Sequence, residues 1–539
     1  MFSAASSDTP SGVLLSVVAI IVGLASYAAY RTLSPGRPLA SLPPGPRPLP
    51  LIGNLLDLPR SHPWVKFSEW GDIYGGIVHV SSLGQSIIIL NEPKYAIDML
   101  DKKGALYGDR PTLVMGGQLV GWDQSPALIP FGDQWSEYRR LFSHFMGTKA
   151  KVDAYNPILH EETNVYLKHI LATPMTGSST RDSMPFAGGL ILQLAYGYRA
   201  SDPGGKGLIK LADDAMEGFS EAITPNAFLV DVLPIRQSPS YCEVVVVPIM
   251  TPIVRYVPYW FPGAAWKHKA KLYHDSLQEM LRAPFELVKR QMAAGVARPS
   301  FTQNHLDGPP LTPDQERVVQ WAAAGIYGAG IECLFLGLTR HTAEQGIAQA
   351  ELDAVLGHDC LPTLADRERL PYCEALYLEI MRRYTFNPLG LAHVAREDDV
   401  HDGVFIPKGS IIVPNNWCAC LSARRLQAPL TTAPQARFLG TAKQYDPRKY
   451  LFGYGRRCTP RADTIRASGV HLADASMWLA CLSILAVFNV APPMKDGERV
   501  VPPANFTNSG ISHPEPFECV VRPRNTGSEK LVHGLPGNF

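Results

Sequence analysis

Residues Phe452 to Ala475 read FGYGRRCTPRADTIRASGVHLADA. Gly453 and Gly455 bracket Tyr454, and Arg456, Arg457 and Cys458 follow at once. Glycines let a backbone turn tightly and come close to a large flat ligand. An arginine beside a cysteine favours the thiolate and can also pair with an acidic group on such a ligand. Taken alone, the stretch is equally a glycine-rich turn that happens to hold a cysteine. The residues around it have to decide.

The stretch resembles the cysteine loop of the cytochrome P-450 monooxygenases, whose pattern is Phe-x-x-Gly-x-Arg-x-Cys-x-Gly. The resemblance implies haem as cofactor and Cys458 as the axial thiolate on its iron, a ligand that favours O–O bond cleavage. Phe452 and Arg457 would flank the cofactor. Two departures stand out. Arg457 and Cys458 are adjacent where the family has one residue between them, and Thr459 to Ser468 separate Cys458 from Gly469. From Gly469, the run Gly469-Val470-His471-Leu472-Ala473-Asp474-Ala475 again resembles the start of the helix that follows the family's loop.

Four further constellations extend the resemblance. Trp135 and Arg139 lie four apart, on one face of a helix. By itself this is a buried indole beside a surface guanidinium. The family's Trp-x-x-x-Arg implies that Arg139 binds a haem propionate, a role suited to a planar guanidinium. In Gly328-Ala329-Gly330-Ile331-Glu332-Cys333, Glu332 fills the family's acid position and Cys333 stands where a threonine belongs. A thiol is a weak hydrogen-bond donor, so proton delivery by this pair is impaired and peroxide release is the expected consequence. Glu379 and Arg382 are three apart on a helix and can pair, as many surface residues do. Their flanks resemble fungal members, which implies a structural network with Arg437 of Arg437-Phe438. His393 falls roughly where the family makes a propionate contact, although a lone histidine is more often structural.

The bulk numbers narrow the alternatives. The chain has 539 residues, 46% of them hydrophobic and 18% charged, with a net charge of +1. That balance gives no case for nucleic acid as a partner. Nine cysteines without CxxC pairs argue against a disulfide framework or a zinc site. Gly12 to Ala29 carries no charge and is long enough, at the lower limit, to span a bilayer. Arg31 and Arg37 follow it, which predicts an anchor with the main chain in the cytoplasm. A cleaved signal peptide is the rival, but its leading basic residue is missing. Leu42 to Asn54 is a stiff proline-dense connector.

Beyond the connector, β-branched residues over Gly76 to Asn91 predict a hairpin. A second hairpin is expected to pair Gly403–Ile406 with Ser410–Pro414 across Pro407-Lys408-Gly409. Helical periodicity marks Pro93–Lys103, Trp135–Gly147, Pro157–Ala172, Ala265–Ala294 and Thr312–Gly328. Ala200 to Pro262 reads as substrate-side helices and loops, with Val244–Trp260 as a second membrane contact. Phe506 to Ile511 resembles a substrate-facing hairpin tip.

The fold class is therefore mainly α with a small β subdomain, in the cytochrome P-450 manner, behind one N-terminal transmembrane helix. The expected divisions are a lumenal start at 1–11, an anchor at 12–30, a basic proline-rich hinge at 31–54, the catalytic domain at 55–525 and a tail at 526–539. The resemblance implies a microsomal fungal monooxygenase on the endoplasmic reticulum, oxidising a small apolar substrate with electrons from an NADPH-dependent reductase. Three patches, Cys333–Gln349, Leu421–Ala436 and Cys458–Ser468, break the family pattern abruptly between good flanks. Translated intron or shifted frame would produce such breaks. True divergence would leave a poorly coupled or non-catalytic shell.

Overall fold

The computed structural model describes residues 40–173, 186–225, 228, 264–326, 331–421, 438–439, 445–455 and 469–537. The expected anchor, the Val244–Trp260 contact, Arg437, Arg457 and Cys458 lie outside these residues.

The first elements are helix α1 (Pro63–Tyr74) and strands β1 (Ile77–Ser82) and β2 (Gln85–Leu90). The two strands form the predicted hairpin, turning at Leu83 and Gly84, both with positive φ. Pro93–Ala96 starts a helix that widens into a π turn over Ile97–Lys102. The main helices then follow: α2 (Asp133–Met146), α3 (Asn156–Ala172), α4 (Phe186–Tyr196), α5 (Gly205–Ala222), α6 (Ala265–Ala293) and α7 (Pro313–Ala324). The start of α7 is set by a reciprocal capping box between Thr312 and Gln315, with Pro313 in the first turn. Next come α8 (Ile331–Arg340), α9 (Thr342–Leu356) and α10 (Pro371–Arg383).

The second hairpin is not the one expected. Strands β3 (His393–Val394), β4 (Asp399–His401), β5 (Val404–Ile406) and β6 (Ile411–Pro414) follow α10. β5 pairs with β4, not with β6, across the two-residue turn Asp402-Gly403. Both turn residues have positive φ, 51° and 80°, as a tight right-twisted hairpin demands. β6 instead lies parallel to β2 and antiparallel to β3, giving a sheet in the order β1-β2-β6-β3. Its apolar run Ile411-Ile412-Val413 suits a strand covered on both faces.

Helix α11 (Val470–Val487) runs through the main core, where Trp478, Leu479, Cys481 and Leu482 are fully enclosed. It is long and apolar enough to cross a bilayer, but 72% of it is buried inside the fold. It is a core helix. Near the C-terminus, Phe506 bridges Pro514 and Thr507 N–H donates to the His513 carbonyl at 2.8 Å, closing the expected hairpin tip. That tip packs on α5 through Gly510 and Ile511, which bond to Ser220 and Thr224.

Candidate active site

The mouth of the cysteine loop is fixed on several sides. It leaves the one-turn helix Arg448–Leu451 through a half-buried Phe452. Tyr454 is enclosed, and its hydroxyl donates to Asn416 Oδ1 at 2.7 Å. Gly453 and Gly455 have φ of 94° and 73°. A Cβ at Gly455 would strike the Leu100 carbonyl, and the Gly455 N–H donates to Asp101 Oδ1. Only glycine fits such a left-handed, close-approach position. Leu100 and Asp101 belong to the π turn, a distortion found often at functional sites.

Arg139 and His393 are positioned through a shared segment. On α2 the buried Trp135 ring lies 5.1 Å from the Arg139 guanidinium, and Phe131 stacks on the indole at 5.0 Å. The Phe131 N–H donates to Asp109 Oδ1 at 3.1 Å. Arg110 donates to the carbonyls of Leu391 and Ala392 at 2.7 and 2.8 Å. His393 is 2% exposed, and its Nδ1 lies 2.7 Å from the Tyr107 carbonyl. A carbonyl can only accept, so Nδ1 bears a proton and donates it. Residues 107–110 thus tie the start of α2 to β3.

Glu332 and Cys333 open α8. Oε2 of Glu332 is fully enclosed and has no hydrogen-bond partner among the described residues. The Cys333 thiol is 6% exposed, and burial followed by the Glu332 charge pushes its pKa well up. It is therefore a protonated thiol, not a thiolate. Across from α8, the Tyr166 hydroxyl of α3 is likewise enclosed without a partner among the described residues. Burial, then the charge of Glu332, pushes that phenol well up.

Glu379 and Arg382 do pair, and they do so inside the protein. Nε and Nη2 of Arg382 donate to the two oxygens of Glu379, each at 2.7 Å. The side chains are 2% and 11% exposed. This two-pronged geometry is the strong form of the interaction. On the neighbouring helix α8, Gly337 faces Ile380 and Tyr384, and a Cβ there would sit 3.0 Å from Ile380. Missing side-chain bulk lets α8 and α10 close on each other.

The structure therefore pairs Glu379 with Arg382, stacks Arg139 on Trp135 and buries His393, while Glu332 and Cys333 adjoin. Asp101, Tyr107 and Tyr166 escaped the sequence reading. Nothing local marks Asp101, whose partner Gly455 lies 354 positions on, or Tyr166, whose enclosure depends on packing.

These features meet in known proteins. The Cytochrome P450 family profile matches residues 43–187 and 328–520. Cytochrome P450 monooxygenase 208 of Postia placenta is 38% identical, over 98% of this chain and 97% of its own. Cytochrome P450 monooxygenase claR of Ampulloclitocybe clavipes is 37% identical, over 97% and 93%. The tryptamine 4-monooxygenase of Psilocybe cyanescens is 31% identical, over 97% and 100%. A solved zebra fish cytochrome P450 structure with abiraterone superposes with a TM-score of 0.63 at 20% identity, covering 86% of this chain and 100% of that one. The chain belongs to the cytochrome P450 family, and within it to the monooxygenases of fungal type. Membership implies a haem cofactor.

Proposed function

We propose that the protein is a haem-thiolate monooxygenase that oxidises a small apolar organic substrate in fungal secondary metabolism, or a xenobiotic. Cys458 would hold the haem iron through its thiolate, and electrons would come from an NADPH-dependent reductase. The residues present fit a haem. Gly455, held against Leu100 and Asp101 where no Cβ fits, fixes the point from which the cysteine-bearing loop departs. That is the observation that carries the reading. Arg139 on Trp135 and the enclosed His393 offer cationic and donor groups for propionates, and Phe452 and Arg457 flank the ligand.

Bound haem supplies the activation of dioxygen. The chain's own residues do the rest. Glu332, whose Oε2 is shut off from water and has no partner among the described residues, relays protons inward. The Cys333 thiol next to it relays protons poorly, because it is a weak donor where a hydroxyl is wanted. Glu379 and Arg382, paired inside the protein, hold the backbone that carries the loop, with Arg437 as the third member the family resemblance implies. Residues 12–30 anchor the chain in the endoplasmic reticulum, residues 31–54 orient it and residues 55–525 form the cytoplasmic catalytic domain.

Reduced membranes carrying the protein should show the red-shifted carbon monoxide Soret band of a thiolate-bound haem. Cys458→Ser should abolish it, and a band that survives the change would refute the assignment. The protonated Cys333 thiol favours a second reading, a haem protein that couples poorly. It is tested by peroxide formed without product.

A further inference from the structure

A second charged cluster lies on α10, apart from Glu379 and Arg382. Glu374 is five residues before Glu379, and therefore on a different face of the helix. Arg367, in the short helix Leu364–Arg369, forks between two acids. It donates from Nε and Nη2 to Glu374 at 2.9 and 3.0 Å, and from Nη1 and Nη2 to Asp474 at 2.7 and 3.2 Å. Its guanidinium also lies 5.3 Å from the Trp478 ring. Arg448 joins from the other side. It donates to Glu374 at 3.0 Å and to Asp474 at 3.5 Å, and grips Asp446 at 2.7 Å. Tyr377 adds its hydroxyl to Asp474 at 3.2 Å. Every charged side chain in the cluster is largely buried, with exposures of 15–26%.

The position of the cluster gives it meaning. Arg448 lies just before Phe452, in the helix that feeds the cysteine loop, and Asp474 lies in the first turns of α11, which leaves it. The two ends of the loop meet at Glu374 and Arg367, on parts of the fold that belong to neither end. The loop between them departs from the family spacing, whereas the groups gripping its ends form a closed set of charge-assisted bonds. Such bonds are the strong ones, and partial burial limits their screening by salt.

We propose that Arg367, Glu374, Arg448 and Asp474 are a clasp that fixes the span of the cysteine-bearing loop, and that Arg448 and Asp474 are positioning residues for the thiolate. The proposal rests on Cys458 as ligand. Opening the clasp frees both ends of the loop while leaving Glu379 and Arg382 in place.

The test is made on the full-length protein. Asp474→Asn should raise tryptic cleavage at Arg456, Arg457, Arg461 and Arg466 about tenfold. It should also convert part of the red-shifted carbon monoxide band to one at shorter wavelength, without change elsewhere in the digest. Arg448→Met should do the same, the double variant should be no worse than either single one, and Asp474→Glu should recover much of the band. Unchanged cleavage and an unchanged band in both single variants would overturn the clasp, as would effects that simply add. Should Asp474→Asn fail to fold, the peripheral Asp446→Asn is decisive, with a smaller change of the same sign expected. In a Cys458→Ser background the acceleration by Asp474→Asn should persist. A red-shifted band surviving in Cys458→Ser alone would instead refute the ligand assignment and leave the clasp standing.

Discussion

Two glutamates on touching helices meet burial in opposite ways. Glu379 on α10 has both oxygens taken by Arg382 and is neutralised on the spot. Glu332 on α8 has an enclosed oxygen with no described partner. A buried charge that is paired and bonded is built to stay as it is, whereas one left unsatisfied is tolerated for what it does. The difference separates a carboxylate that holds the fold from the one we propose handles protons.

The contrast breaks if both glutamates behave alike. Arg382→Leu takes from Glu379 its two-pronged bond and should destabilise the fold by about 3–5 kcal/mol, with little haem retained. Thermal unfolding and pigment content check this. Glu332→Gln should leave stability within about 1 kcal/mol, yet lower product formed per NADPH about 10- to 100-fold. A loss of stability comparable to that of Arg382→Leu would put Glu332 in the structural class.

A third glutamate sharpens the comparison. Glu162 on α3 is 6% exposed, and burial followed by the charge of Glu161 raises its pKa to about 7. The folded state then holds a proton that the unfolded chain releases near pH 4.5. Its stability contribution is full below that pH and is lost as pH rises through 7, by about 3 kcal/mol in all. Glu162→Gln should flatten this slope in denaturant titrations run from pH 5 to 8. The smallest effect should come from Cys333→Thr, which restores a hydroxyl donor beside Glu332. Peroxide release per NADPH should fall about two- to fivefold, with stability changed by under about 1 kcal/mol.

What the sequence made legible was local. Trp135 with Arg139 and Glu379 with Arg382 are helix-spaced pairs, so their geometry follows from where the helix runs. The hairpin Gly76–Asn91 carried its own turn. The error at β5 and β6 has the same root. Two β-rich runs around Pro407-Lys408-Gly409 read as partners, but Asp402-Gly403 was the better turn signal, and β6 took a partner far upstream. The hold of Asp101 on Gly455 and of Tyr107 on His393 joins residues hundreds of positions apart, which no local pattern announces. That Glu332 has an enclosed oxygen, and that Glu379 is buried rather than a surface bridge, depends on packing and not on spacing.

The parallel pairing of β2 with β6 has a consequence for biogenesis. Asn415 donates to Asn91 at 2.8 Å, and these residues are 324 positions apart. At ordinary ribosomal speeds of about 5–20 residues per second, the strand Gln85–Leu90 waits roughly 15–65 s after synthesis before its neighbour exists. Throughout that interval an isoleucine-rich edge lacks its partner strand and is open to association with other nascent chains. The yield of folded protein should therefore respond to chaperone supply during translation.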